Sequence, residues 1–373
     1  MYPPVLGRTN PMFVTSKEVR DVMTNSHPGG LDTIGARPIP PNIFGIGFGL
    51  AGLGTAWRIA VDQRLAPHEV SDVLIFLAAL AWLISLCLYL RYALTTRGAL
   101  RADLHDMTVG PFASLAVITP ILLAADGVAP YSRSTAAVII DISIVLVVLL
   151  GGWFTGIWMR GGTDLDRLHP GYFLPTVAGG LVASAGAAIV DQQRLAQLML
   201  GLGIFSWIIL GSMILGRLIF RPPIPDALAT TMAIEVAPAA VASVAYFFMH
   251  GAHITAFVTA LAGYGLLMVV AQIPLLGRYA RLKFSLATWA FTFSWAAVAS
   301  TLLFWIAAEH VPGGRVPSYL VLAAISVLVT AIGARTVVAI AQNRLLPVPT
   351  APTIDPSLAP STTAAPDVLV GAN

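Results

Sequence analysis

Charge is scarce in this chain. Asp, Glu, Lys and Arg make up 10% of its 373 residues, against roughly 25% in a soluble domain. So little charge cannot clothe a soluble globule of this size. Cysteine is nearly absent: Cys87 is the only one, which excludes a disulfide scaffold. There is no Walker-type glycine loop, so the chain does not hydrolyse ATP. All seven histidines fall outside the long apolar runs or at their edges. Haem held between membrane helices would lack its ligands, and an intramembrane serine protease would lack its base. His250 and His253 are spaced i,i+3 in a short loop, too weak a pattern for a metal site. The formal charge of +3 is small and scattered, which argues against a nucleic-acid partner. No cofactor is expected.

What is there is apolar. Hydrophobic residues make up 57%, with 33 glycines besides, and mean hydropathy is +0.81. Disorder needs the opposite composition, so lipid is the main solvent. A bilayer core about 30 Å thick takes roughly 20 apolar residues per helix. Ten runs qualify: about 42–59, 72–94, 110–125, 135–158, 171–190, 195–218, 230–249, 253–276, 285–308 and 317–340. They are continuous rather than alternating, which means helices and not a barrel. The expected fold is an all-α polytopic membrane protein. Residues 38–345 form its ten-helix domain, flanked by a flexible tail (1–37) and a Pro-, Ala-, Thr- and Ser-rich, disordered tail (346–373). The N-terminal tail lacks the apolar core of a signal peptide.

The odd-numbered spans start about 60 residues apart, which reads as five helical hairpins repeated in architecture. Interior prolines fall in odd spans: Pro120, Pro175 and Pro238. Span one carries a glycine ladder: Gly45, Gly47, Gly49, Gly52 and Gly54. Proline frees a backbone carbonyl and kinks a helix, and such defects survive at membrane depth where protein or a water-filled cavity satisfies them. The odd spans are therefore expected inside, around a central pore. Gly47, Gly52, Pro120, Pro175 and Pro238 are its lining or kink candidates. The plainer alternative is that Gly and Pro are common in any membrane helix.

Three ionisable residues fall within spans: Asp141, Glu235 and Arg335. Intramembrane charge is expensive and marks function by default. Arg335 is near a span end and can snorkel. Asp141, on an even span, is expected to pair with Ser, Thr or backbone between helices. Glu235 lies one turn inside span seven. It could tune ion entry, carry a proton or bond a neighbouring helix. No ring of Lys or Arg crosses mid-membrane. Anion selectivity would then rest on helix dipoles, hydroxyls and kinked backbone. Basic residues at the inner mouth, such as Arg217, Arg221, Arg278, Arg281 and Lys283, would shape its field.

Five stretches together resemble one family: Phe44–Ala60 (FGIGFGLAGLGTAWRIA), His169–Thr176 (HPGYFLPT), Phe205–Pro225 (FSWIILGSMILGRLIFRPPIP), Glu235–Ala242 (EVAPAAVA) and Thr288–Ser294 (TWAFTFS). The chain resembles the tellurite-resistance/dicarboxylate transporter family. Bacterial TehA-type proteins, plant slow anion channels, and fungal malate permeases and sulfite exporters belong to it. The resemblance implies five hairpins around a pore in each subunit of a homotrimer. It also implies occlusion by a phenylalanine on the ninth helix, in a run like W-x-F/Y-x-F-P/G. Phe293 matches that position; Ser294 stands where proline or glycine is usual. Thr292 and Ser294 join the lining or kink candidates.

The expected function is passage of small anions through a phenylalanine-gated pore in the cell membrane. A monovalent inorganic anion, sulfite or a C4-dicarboxylate such as malate would be carried. The alternative is a proton-coupled carboxylate or sulfite carrier, with Glu235 as proton site. A membrane-embedded enzyme is disfavoured because no catalytic constellation appears inside.

Sidedness follows from basic residues. With the N-terminus inside, sixteen Lys and Arg fall on inner segments and five (Arg58, Arg64, Arg133, Arg194, Arg315) on outer ones. Both termini are then cytoplasmic. A reporter fused after Leu345 should read cytoplasmic and one inserted near Gly313 should read external. The same side for both would refute the ten-span topology.

Overall fold

The computed structural model describes residues 38–162 and 164–346. Both tails lie outside the described residues, Leu346 excepted, and with them Arg8, Lys17, Arg20 and Arg37. Among the described residues, ten helices are long and apolar enough to cross a bilayer. They are α1 (Pro41–Asp62), α2 (His68–Thr95), α3 (Gly110–Val128), α4 (Arg133–Met159), α5 (Pro170–Ile189), α6 (Gln193–Phe220), α7 (Ala229–His250), α8 (Ala256–Tyr279), α9 (Leu286–Ala308) and α10 (Arg315–Ala341). Each bound lies within about one turn of the run read from the sequence. The longest loop contains a short helix, Ala99–His105. No strand occurs among the described residues.

Two kinds of span alternate. α2, α4, α6 and α10 are unbroken α-helices of 27 or 28 residues. α8 departs only near its end, where Pro274 sits in a 3-10 turn, Ile273–Leu275. All five odd spans instead open on a 3-10 segment: Pro41–Phe44, Gly110–Ser114, Pro170–Phe173, Ala229–Val236 and Leu286–Trp289. Pro41, Pro111 and Pro170 occupy first-turn positions there, where the missing N–H breaks no intrahelical bond. α5 then passes through a π turn at Leu174–Ala178, with Pro175 in its first turn. α3 ends in another, Ala124–Val128, just beyond Pro120. Pro238 sits in the first turn of the α-helical part of α7, which starts at Ala237.

Burial follows the same division. Between 61% and 89% of the apolar stretch is buried in α1, α3, α5 and α7, against 22–33% in the even spans. α9 stands between them at 39%. Large exposed apolar side chains ride on the even spans: Phe76 on α2, Leu149 on α4, Phe205 on α6, Leu266 on α8 and Val327 on α10. The straight helices, whose backbone satisfies itself, thus present the faces suited to lipid.

Glycine sets how closely neighbours approach. In α1, a Cβ at Gly47 would lie 2.9 Å from Trp82 Cβ, and one at Gly54 would lie 2.3 Å from Ile75 Cδ1, both on α2. Gly45, Gly49 and Gly52 face Trp289, Thr292 and Phe293 of α9. The ladder is therefore two packing faces, one per neighbour. Between α5 and α6 the backbones touch: a Cβ at Gly180 would fall 2.6 Å from Gly203 N, and one at Gly203 would fall 2.9 Å from Leu181 N. Without a hydrophobic drive between helices in lipid, such close contact is how they cohere.

Gly203→Ala should therefore lower thermal stability in detergent, by roughly 1–3 kcal/mol for an overpacked contact. Gly201, on the same helix with nothing within 4 Å of an added Cβ, should accept alanine at no cost, or gain up to about 1 kcal/mol of helix propensity. Equal melting shifts for the two variants would show that the α5–α6 contact is not tight.

Candidate functional site

The N-terminal turns of the five odd spans enclose an inner cavity of about 40 Å³. Its wall includes Asn42 and Phe48 of α1, Phe112 of α3, Phe173 of α5, Pro238 of α7, and Phe293 and Ser294 of α9. Further along the same helices lies a middle cavity of about 30 Å³, with Gly52 and Thr55 of α1, Asp126 of α3, Gly186 of α5, Phe248 of α7 and Ser300 of α9. Every wall residue of both comes from an odd span. An outer cavity of about 350 Å³ follows at the C-terminal ends, with Arg58, Asp62, Asp126, Arg133 and Asp191 in its wall. Middle and outer cavities share Ala125, Asp126, Ile189 and Phe248. Inner and middle cavities share two residues, Phe293 and Val241.

Phe293 is held by its neighbours. Its ring stacks on Phe48 with centroids 3.8 Å apart and planes 24° apart. On the α1 side, a Cβ at Gly52 would lie 2.8 Å from Phe293 Cδ2, so glycine there makes room for the ring. α9 is continuous α-helix from Ala290 to Ala308, with no break at Ser294. Two residues earlier, Phe291 turns away and meets Tyr279 of α8 edge-on at 4.9 Å. Trp289 donates its indole N–H to Thr336 Oγ1 of α10 at 2.9 Å, which fixes the start of α9.

Among the described residues, no Lys or Arg stands in the wall of the inner cavity. Its field comes from backbone. Five helix starts surround it, each with N–H groups that have no intrahelical acceptor and the positive end of a helix dipole. Asn42 and Ser294 add polar side chains. The outer end has the converse: helix C-termini and three aspartates against two arginines in the wall.

Of the residues singled out from the sequence, Phe293, Ser294 and Pro238 line the inner cavity, and Phe293 and Gly52 the middle one. The others stand elsewhere. Gly47 packs on Trp82. Thr292 is fully buried, donates to Trp289 O at 2.7 Å and faces Gly49. The Pro175 carbonyl lies toward Gly151 of α4. Pro120 lies inside α3 and lines none of these cavities. Glu235 is 4% exposed, and neither carboxyl oxygen has a hydrogen-bond partner; it also lines none of the three. Asp141 accepts from Gln192 Nε2 at 3.1 Å, a partner outside the Ser, Thr and backbone groups expected. Arg335 is exposed.

Two basic residues expected to shape the field at the inner mouth are engaged in holding loops. Arg217 is 2% exposed and donates to the carbonyls of Pro222 (2.7 Å) and Asp166 (3.1 Å), so it folds the RPPIP segment rather than facing an ion. Arg278 is likewise engaged, with Asp226 at 2.9 Å. The middle cavity's acid, Asp126, lies one residue past the apolar run that defined span three. The π turn carries the helix beyond that run. Thr55, its partner, has no sequence mark of its own.

The profile of the voltage-dependent anion channel family matches residues 38–337. A tellurite resistance protein TehA homolog from Haemophilus influenzae is 29% identical over 268 residues, covering 71% of this chain and 80% of that protein.

Within the matched region, the HPGYFLPT stretch builds the entry to α5. The Gly171 N–H donates to His169 Nδ1 at 3.1 Å, and His169 Nε2 lies 3.1 Å from Thr108 O. Nε2 therefore carries the proton of a neutral ring. The imidazole is 1% exposed, and burial pulls its pKa down to about 4. The ordinary value is about 6.5. Between these, an unfolded chain binds a proton that the native one does not, so stability is full above pH ~6.5 and is lost as pH falls toward ~4. The loss should approach about 3 kcal/mol, read as a falling melting temperature between pH ~7 and ~4.5. His169→Gln should flatten that slope; an unchanged slope would remove His169 from the account.

Proposed function

The chain belongs to the voltage-dependent anion channel family, and from that premise we propose that small anions cross the membrane along its three cavities, past Phe293 as the occluding group. The chain is a multi-pass membrane protein, and anion transport is the family's activity. The observation that carries the finer reading is that Phe293 is in the wall of both the inner and the middle cavity. A phenyl ring offers an anion no hydrogen bond and takes the volume its water would need, so it acts as an apolar constriction. The five helix starts around the inner cavity supply the attraction that basic side chains do not.

The excess of Lys and Arg on the segments that share a side with the N-terminus supports a cytoplasmic position for the helix starts, the inner cavity and both termini. The substrates we propose are a monovalent inorganic anion, sulfite or a C4-dicarboxylate. The family resemblance supports assembly as a homotrimer. A proton-coupled carrier built on Glu235 draws no support from the cavities, because none of the three includes that residue.

Phe293→Ala should raise anion flux in proteoliposomes on the order of tenfold, equivalent to about 1.4 kcal/mol off the barrier, with little change in anion preference. Phe291→Ala should cost folded protein, about 2 kcal/mol for a half-buried ring, and leave flux per molecule unchanged. A larger gain in Phe291→Ala than in Phe293→Ala would sink the gate assignment.

A further inference from the structure

The carboxyl of Asp126 stands where the middle and outer cavities meet. It is 3% exposed, in the π turn that ends α3. Its Oδ2 is 2.5 Å from Thr55 Oγ1, and that hydroxyl is 3.2 Å from Ala51 O. A hydroxyl has one proton to donate. Beside a carboxylate, Thr55 can satisfy one of these two acceptors and must forgo the other. If Asp126 carries a proton, it donates to Thr55 Oγ1 and Thr55 donates to Ala51 O. Both contacts are then hydrogen bonds.

The surrounding charges leave little for an ionised Asp126. On α1, Arg58 is 3.7 Å from Asp62 and 3.8 Å from Asp72 of α2. The Tyr131 hydroxyl donates to Asp72 at 3.0 Å. Arg133 of α4 is paired with Asp191, which follows α5. From α5, α7 and α9 come Ile189, Phe248 and Ser300, with no charge among them. Two arginines already face three aspartates, and the C-terminal ends of the helices add partial negative charge.

An anion that has passed Phe293 must pass this carboxyl to reach the outer cavity. We infer that Asp126 is a proton-binding site that licenses anion passage, conducting when its carboxyl is protonated and repelling the anion when it is ionised. The inference rests on the cavities being the anion path. The proton comes from water in the outer cavity and returns to it, with no bond broken but O–H.

The test uses chloride, which stays ionised throughout, in proteoliposomes of the full chain carrying Phe293→Ala, with pH equal on both sides. Flux should rise severalfold or more as pH falls from ~8 to ~5, since each pH unit on the alkaline side of a titration changes the protonated fraction about tenfold until the site saturates. Adding Asp126→Asn should give a flat profile at the acid level, because an amide keeps the shape and the donor. If that variant does not fold, Thr55→Val decides: without the hydroxyl that donates to the ionised carboxyl, the midpoint of the profile should move toward higher pH. Flux that is the same at both pH values, or a full pH dependence retained in folded Asp126→Asn, overturns the inference and leaves the path standing. An unmoved midpoint in Thr55→Val does so too. No chloride flux at any pH, with or without Phe293, overturns the path and the inference with it.

Discussion

Every backbone N–H and C=O at membrane depth needs a partner, because hydrocarbon offers none. The rest of this structure depends on that constraint. Regular α-helix meets it alone, so α2, α4, α6 and α10 can face outward. The 3-10 starts and π turns of the odd spans do not meet it alone, and these spans carry most of the burial. The irregular starts are also what surround the inner cavity. One requirement thus sorts the helices and equips the interior.

The interior is built from few polar side chains. On the proposed path, a cavity ringed by helix starts would attract negative charge without placing a cation there, and an anion held that way could leave again. Fixed Lys or Arg side chains at the same place would bind more tightly and release more slowly. Such arginines as are buried or paired, Arg217, Arg278 and Arg58 among them, hold loops and helix ends together. The stacked rings of Phe48 and Phe293 tie α1 to α9 in the wall of the inner cavity.

Much of the fold was legible in the sequence because lipid makes length and apolarity diagnostic. The ten runs and the odd–even contrast in proline and glycine follow from that. The site was legible in part. Phe293 came from a resemblance, and no periodicity would have separated it from Phe291 without the neighbours seen here. Gly47 and Thr292 carry the same marks as Gly52 and Ser294, yet helix rotation turns them toward packing contacts. Asp126 escaped because an apolar run ends where the hydropathy falls, while a π turn carries the helix one step further. His169 read as a span-edge residue and Arg217 as one of the inner mouth because burial beneath a loop leaves no trace in composition.

The odd spans all point the same way, with their starts at the inner cavity and their ends at the outer one. An anion on the proposed path therefore meets an electrically lopsided landscape: a well at one mouth and, beyond Phe293, a rising slope toward the other. Equal and opposite voltages would drive unequal currents through it, so the molecule would rectify. That asymmetry comes from backbone orientation and would persist whatever side chains line the walls. It sets no net direction at equilibrium, since a passive path cannot pump; it sets only which way a given driving force works more easily.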